Sequence, residues 1–155
     1  MLAVPLTPQT AVLGLAIGIV CALLLYLRTR LSPGGLLTPG WLAVALVTDL
    51  RAAVVVLAAG VLTYLGVLVC QRYLILYGDR LLAAALLLGM LLAAGWYLLT
   101  GPGFPPLYSI AALGLVIPGW LAYQLACQPV LPTVVITGLA TVASYATLIT
   151  ALALA

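Results

Sequence analysis

Pro39-Gly40-Trp41-Leu42-Ala43 recurs unchanged as Pro118-Gly119-Trp120-Leu121-Ala122. The match extends upstream, where Gly35-Leu36 faces Gly114-Leu115, and downstream, where Leu46 faces Leu125. A shared pentapeptide containing tryptophan is not an accident of a Leu- and Ala-rich composition. It divides the chain into two related halves, 1–78 and 79–155. Each half reads as a helix, a segment interrupted by Pro-Gly, and a second helix. Proline removes a backbone N–H and clashes with the preceding turn, and glycine adds backbone freedom. Each Pro-Gly pair is therefore expected to break its helix.

The medium for these helices follows from composition. Of 155 residues, 67% are hydrophobic and only 5% charged, against roughly 25% charged in an ordinary soluble domain. The charges are Arg28, Arg30, Arg51, Arg72 and Arg80 with Asp49 and Asp79. A soluble surface cannot be built from these. The length suits about six segments of roughly 20 residues, the span of a bilayer core. The expectation is an all-α membrane protein, a single domain over 1–155, embedded in the lipid bilayer of the cell membrane.

Four apolar runs are plain: 10–27, 52–71, 81–99 and 131–154. The first lacks a positive region ahead of it and carries Arg28 and Arg30 behind it, so it reads as a retained helix and not a cleaved signal. Val20 before Cys21 makes a poor lipoprotein cleavage site. Gly14 and Gly18 form a GxxxG pair suited to close helix packing, and Gly138, Thr141, Ser144 and Thr147 are expected to share a small-residue face of the last helix. The two Pro-Gly segments, 32–48 and 107–127, either cross or re-enter the membrane. Crossing places Arg28, Arg30, Arg72 and Arg80 on one side and Arg51 on the other, and the positive-inside rule favours it. Three crossings per half invert the second half relative to the first. Six crossings then leave both termini extracytoplasmic and the 73–80 loop in the cytoplasm.

Several chemistries are excluded by residue type. The chain has no histidine and no lysine, and Cys21, Cys70 and Cys127 lie far apart in apolar runs. No metal or disulfide spacing is present, and no phosphate-cradling GxxxxGK[ST] motif. The scattered arginines form no nucleic-acid footprint. Asp49 and Asp79 lie in different loops and cannot work as paired carboxylates. No cofactor and no catalytic residue is expected.

Ser32-Pro33-Gly34-Gly35-Leu36-Leu37-Thr38-Pro39-Gly40-Trp41-Leu42 resembles the PAGLVVPGYLG-type motif of the PgsC/CapC family, the small membrane subunit of poly-γ-glutamate synthase. Leu62-Thr63-Tyr64 and Ile75-Leu76-Tyr77-Gly78-Asp79-Arg80, followed by Ala83-Ala84, are similar to its LTY and ILYGRR…AA signatures, and Gly114–Gly119 matches the second Pro-Gly motif. Asp79 departs from the second basic residue expected there, which leaves open whether the polymer is γ-linked glutamate or a related product. The resemblance implies a non-catalytic subunit of a capsule polymer synthase and export complex. Its implied partners are an ATP-dependent amide-ligase subunit and a further accessory membrane subunit, and its implied product is an anionic poly-amino acid. Six short helices enclose little volume, so a polymer path requires a partner or several copies, and a homo-oligomer is expected.

Two groups of residues are candidates for that work. Pro39, Gly40, Trp41, Pro118, Gly119 and Trp120 mark the breaks, and half-helix N-termini starting at Gly40 and Gly119 would attract carboxylates. Burying arginines instead would cost about 2.5–3.5 kcal/mol each at mid-helix. The competing reading makes these bends packing kinks, with the tryptophans filling the gap. Tyr123 and Gln124 follow the second break and either line a path or bond a neighbouring helix. The second group is Arg72, Tyr73, Tyr77, Gly78, Asp79 and Arg80, which suits a docking loop for the ligase or ordinary interfacial anchoring. A stand-alone small-solute transporter with inverted repeats is the rival function.

Overall fold

The computed structural model describes residues 8–48, 50–100 and 110–154. Asp49 and the two terminal segments whose sidedness the sequence predicts lie outside the described residues. Six helices follow in order: α1 (Pro8–Thr29), α2 (Thr38–Thr48), α3 (Leu50–Tyr73), α4 (Asp79–Thr100), α5 (Ile110–Cys127) and α6 (Val130–Leu154). The segments Ala11–Thr29, Leu50–Tyr73, Asp79–Leu99 and Val130–Ala151 are each long and apolar enough to cross a membrane, with mean hydropathy of 2.3, 2.5, 2.1 and 1.7. The eleven residues of α2 rise about 16 Å, roughly half a bilayer core.

Helix ends obey local chemistry. The α1 helix stops at Arg30, whose φ of 56° is left-handed and whose N–H donates to the Tyr26 carbonyl at 2.7 Å. Gly78 takes a φ of 56° before α4, and the Asp79 carboxylate lies in the first turn, where the helix dipole favours negative charge.

The chain packs as two compact units. The first comprises residues 1–53 with 128–155, and the second is the continuous stretch 54–127. In the first, α1, α2 and α6 pack against one another; in the second, α4 packs on α5. The second unit also holds a core of Val67 from α3, Leu81 and Ala85 from α4, and Ala122 from α5. Buried positions recur every three or four residues. They are Ala11, Gly14, Gly18 and Ala22 on α1, and Leu81, Ala85, Gly89 and Ala93 on α4. Such stripes of small residues let backbones approach in a lipid solvent that supplies no hydrophobic drive between helices.

Two expectations are corrected. Pro118 does not break its helix: α5 runs from Ile110 to Cys127 with the proline inside it, so Gly119 starts no half-helix. The α6 face is also different. Gly138 and Thr147 are exposed, while Thr133, Thr137, Ala140, Thr141, Ser144 and Leu148 are buried. Nine residues at about 100° each rotate two and a half turns, which puts Gly138 and Thr147 on opposite sides. The four buried hydroxyls donate to the carbonyl four residues back at 2.7–2.9 Å, three of these carbonyls within α6 and the fourth, of Pro129, just ahead of it.

Candidate functional site

Glycine positions the Pro-Gly helices. At Gly40 an added Cβ would stand 3.1 Å from the Cα of Gly18 and from the Cα and carbonyl oxygen of Leu15. A Cβ on Gly18 would fall onto the Cα and N of Gly40. The second unit repeats this contact. A Cβ on Gly119 would stand 2.6 Å from the Ala85 carbonyl oxygen and 2.6 Å from the Leu86 Cα, and one on Gly89 would meet the Gly119 backbone. Each Pro-Gly helix thus lies backbone to backbone against the helix that precedes it.

Before α2 the chain makes a non-helical approach from Arg30 to Leu37. Pro33, Gly34 and Gly35 are buried there, and the glycines take φ values of 61° and 96°, a region costly for side-chain-bearing residues. Buried irregular backbone in a membrane protein must find partners, and it does. The Gly34 N–H donates to the Ser32 carbonyl at 2.8 Å, and the Gly35 N–H donates to Ser32 Oγ at 3.3 Å. The Thr38 hydroxyl donates to the Gly34 carbonyl at 2.6 Å. The Ser32 N–H reaches across the unit to Gln128 Oε1 at 3.2 Å, which also accepts from the Thr133 hydroxyl at 3.3 Å. Gln128 therefore ties the start of α6 to the approach loop.

The residues singled out from sequence separate by environment. Pro39 falls in the first turn of α2, where its missing N–H costs nothing, and Thr38–Ala45 are buried throughout. Trp41 is 5% exposed, whereas Trp120, its counterpart in the repeat, is 36% exposed. Tyr123 and Gln124, one turn beyond Trp120, are half-buried. From the last turn of α3 to the first turn of α4, Arg72, Tyr73, Tyr77, Gly78, Asp79 and Arg80 are all exposed, as are Leu74 and Ile75. The sequence reading missed Ser32, Thr38, Gln128 and Thr133. The sequence shows a Ser-Pro-Gly-Gly turn and a glutamine ahead of a threonine-rich helix, but nothing local pairs them. Among the described residues no group of three or more His, Cys, Asp or Glu side chains stands ready to hold a metal.

Long apolar helices held glycine to glycine, with polar chemistry reduced to a satisfied clasp, define a small polytopic α-helical membrane protein. The sequence family described as Capsule biosynthesis CapC matches residues 17–134, a stretch that includes both glycine contacts and the Gln128 clasp. The chain belongs to that family. It is 32% identical over 115 residues to the capsule biosynthesis protein CapC of Bacillus anthracis, covering 71% of this chain and 74% of that protein. No solved structure matches it.

Proposed function

We propose that this chain is the non-catalytic membrane subunit of a synthase and export complex for poly-γ-glutamate or a related anionic poly-amino acid. The observation that carries this reading is the family match over 17–134, on a chain whose described residues include four helices of membrane-spanning length. An ATP-dependent ligase subunit activates and joins the amino acids, and this subunit holds it at the membrane together with an accessory membrane subunit. The exposed loop from Arg72 to Arg80 is the docking surface, with its arginines and tyrosines outside the packed helices.

The two halves, 1–78 and 79–155, act as inverted repeats with six crossings and both termini outside. Support comes from the same small-residue ladder on α1 and α4, each meeting a Pro-Gly helix at Gly40 or Gly119. Pro39, Gly40, Trp41, Pro118 and Gly119 serve to fix those helix pairs. Trp120 with Tyr123 and Gln124 shares one face of α5 and is the part of the set that a polymer, a second copy or a partner subunit reaches. The polymer path then forms between copies or with a partner.

Co-purification tests the proposal. The tagged subunit, extracted in mild detergent from cells making the polymer, should retain the ligase, and Arg72→Glu with Arg80→Glu should release it. A ligase that stays soluble, with normal polymer made in a strain deleted for this subunit, would refute it.

A further inference from the structure

Every backbone N–H from Arg30 to Gly35 has an acceptor. Arg30 donates to the Tyr26 carbonyl, Leu31 to Thr29 Oγ at 3.3 Å, and Ser32 to Gln128 Oε1. Gly34 donates to the Ser32 carbonyl and Gly35 to Ser32 Oγ. The next two N–H groups, of Leu36 and Leu37, find no acceptor among the described residues. Exposure changes at the same point. Pro33, Gly34 and Gly35 are buried, whereas Leu36 and Leu37 are 42% and 39% exposed.

The depth of these donors follows from the glycine contacts. The α1 and α2 helices run antiparallel, since a Cβ on Gly14 would meet Val44 and one on Gly18 would meet Gly40. Gly18 stands ten residues ahead of Arg28, about 15 Å along the helix, and Arg28 ends the apolar run at one face of a core about 30 Å thick. Gly40 therefore lies near the midplane. The Leu37 carbonyl accepts from the Trp41 N–H at 3.0 Å, so Leu37 stands one turn nearer to Arg28, about 10 Å inside the core.

What meets two unpaired donors at that depth is decided by acceptors. Lipid tails have none, and irregular backbone does not face hydrocarbon. A helix of a second copy laid over the segment spends its carbonyls within its own turns. It would seal both donors without partners, at a cost of about 1–3 kcal/mol each. Water has acceptors to spare. We propose that Leu36 and Leu37 line a water-filled recess that enters from the Arg28 end and reaches their N–H groups about 10 Å inside the bilayer core. This inference rests on the crossing of the membrane by α1 and α2 and not on the synthase reading, so either can fail alone.

Hydrogen exchange of the full chain in lipid nanodiscs, read residue by residue by NMR, tests this without a variant. Leu36 and Leu37 should exchange quickly, and Ser32, Gly34 and Gly35 slowly. Equal protection along the segment would overturn the proposal. Thiol labelling in opened membrane vesicles is the second readout, in a chain carrying Cys21→Ser, Cys70→Ser and Cys127→Ser. Leu36→Cys and Leu37→Cys should react with a charged maleimide about tenfold faster, or more, than Val20→Cys, because the reactive thiolate forms where water reaches it. Val20 is exposed on α1 and lies about 12 Å from the level of Arg28, a similar depth. Labelling no faster than at Val20 would overturn the proposal, and disulfide-linked dimers formed through Leu36→Cys alongside such slow labelling would make a second copy the occupant.

Discussion

Substituting alanine at Gly119 and at Gly138 should change stability in opposite directions. Both are helix-interior glycines, so intrinsic propensity alone favours alanine at each by about 0.8–1.0 kcal/mol. Their surroundings differ. At Gly119 the new Cβ would lie 2.6 Å from the Ala85 carbonyl oxygen and 2.6 Å from the Leu86 Cα, both backbone atoms, where ordinary contact begins at 3.4 Å. The α4 and α5 backbones must part by the difference along much of their seam. A radial gap of about 0.5–1 Å forfeits a quarter to a half of each dispersion well, and overpacking of this kind costs about 1–3 kcal/mol. The seam loss exceeds the propensity gain, and Gly119→Ala should be destabilised by about 1–2 kcal/mol net. At Gly138 a Cβ meets nothing within 4 Å, so Gly138→Ala should be neutral or stabilised by up to about 1 kcal/mol. The assay is SDS-driven unfolding in mixed micelles, followed by tryptophan fluorescence. Equal effects at the two sites, or a stabilised Gly119→Ala, would refute the claim that a backbone contact at Gly119 holds α5 to α4.

Three further outcomes are expected. Gln128→Leu removes the acceptor for the Ser32 N–H, and leaving such a group unpaired costs about 1–3 kcal/mol, whereas the Thr133 hydroxyl keeps the Pro129 carbonyl; hydrogen exchange at Ser32 should accelerate, while Gln128→Glu, which keeps an acceptor, should not. Trp41→Ala, at a fully packed site, should cost about 3–5 kcal/mol, and Trp120→Ala much less, as read by the same unfolding assay. Gly35→Ala places a side chain at a φ of 96° and should cost about 1–3 kcal/mol, which a lowered melting temperature in detergent would show.

Much of the fold is legible in the sequence because membrane helices announce themselves by length and hydropathy. The predicted runs 10–27, 52–71, 81–99 and 131–154 fall within α1, α3, α4 and α6. What the sequence does not reveal is how one motif behaves in two contexts. Pro39-Gly40 follows Ser32-Pro33-Gly34-Gly35, a second set of helix breakers, so the chain stays irregular until Thr38 and the proline falls harmlessly in a first turn. Pro118-Gly119 follows Ala112-Leu113-Gly114-Leu115, which propagates helix, and an isolated proline is tolerated inside it. The unit of prediction is therefore the stretch upstream of Pro-Gly, not the pair itself. The Gln128 clasp is invisible for another reason: Ser32 and Gln128 are brought together only by tertiary packing of α6 on α1 and α2.

That packing has a consequence for assembly. The second unit, 54–127, is one continuous stretch, but the first needs α6 to be made before α1 and α2 have their third helix. Under the proposed repeat, the third helix of each half packs with the first two helices of the other. Thus α6 joins α1 and α2, while Gly60 of α3 lies against Leu121 and Pro118 of α5. Such an exchange ties each half to its sister through packed backbone and not through a flexible linker. Neither half can then be lost or rearranged without exposing a small-residue ladder to lipid, where it has no packing partner. The α2 helix has most to lose, since it is too short to span a bilayer on its own and is buried on every side from Thr38 to Ala45. Its buried approach loop is held by Gln128, at the threshold of α6. The last helix therefore acts as the latch on the first Pro-Gly element, and the glycine contact at Gly18–Gly40 is the seat into which that latch presses it.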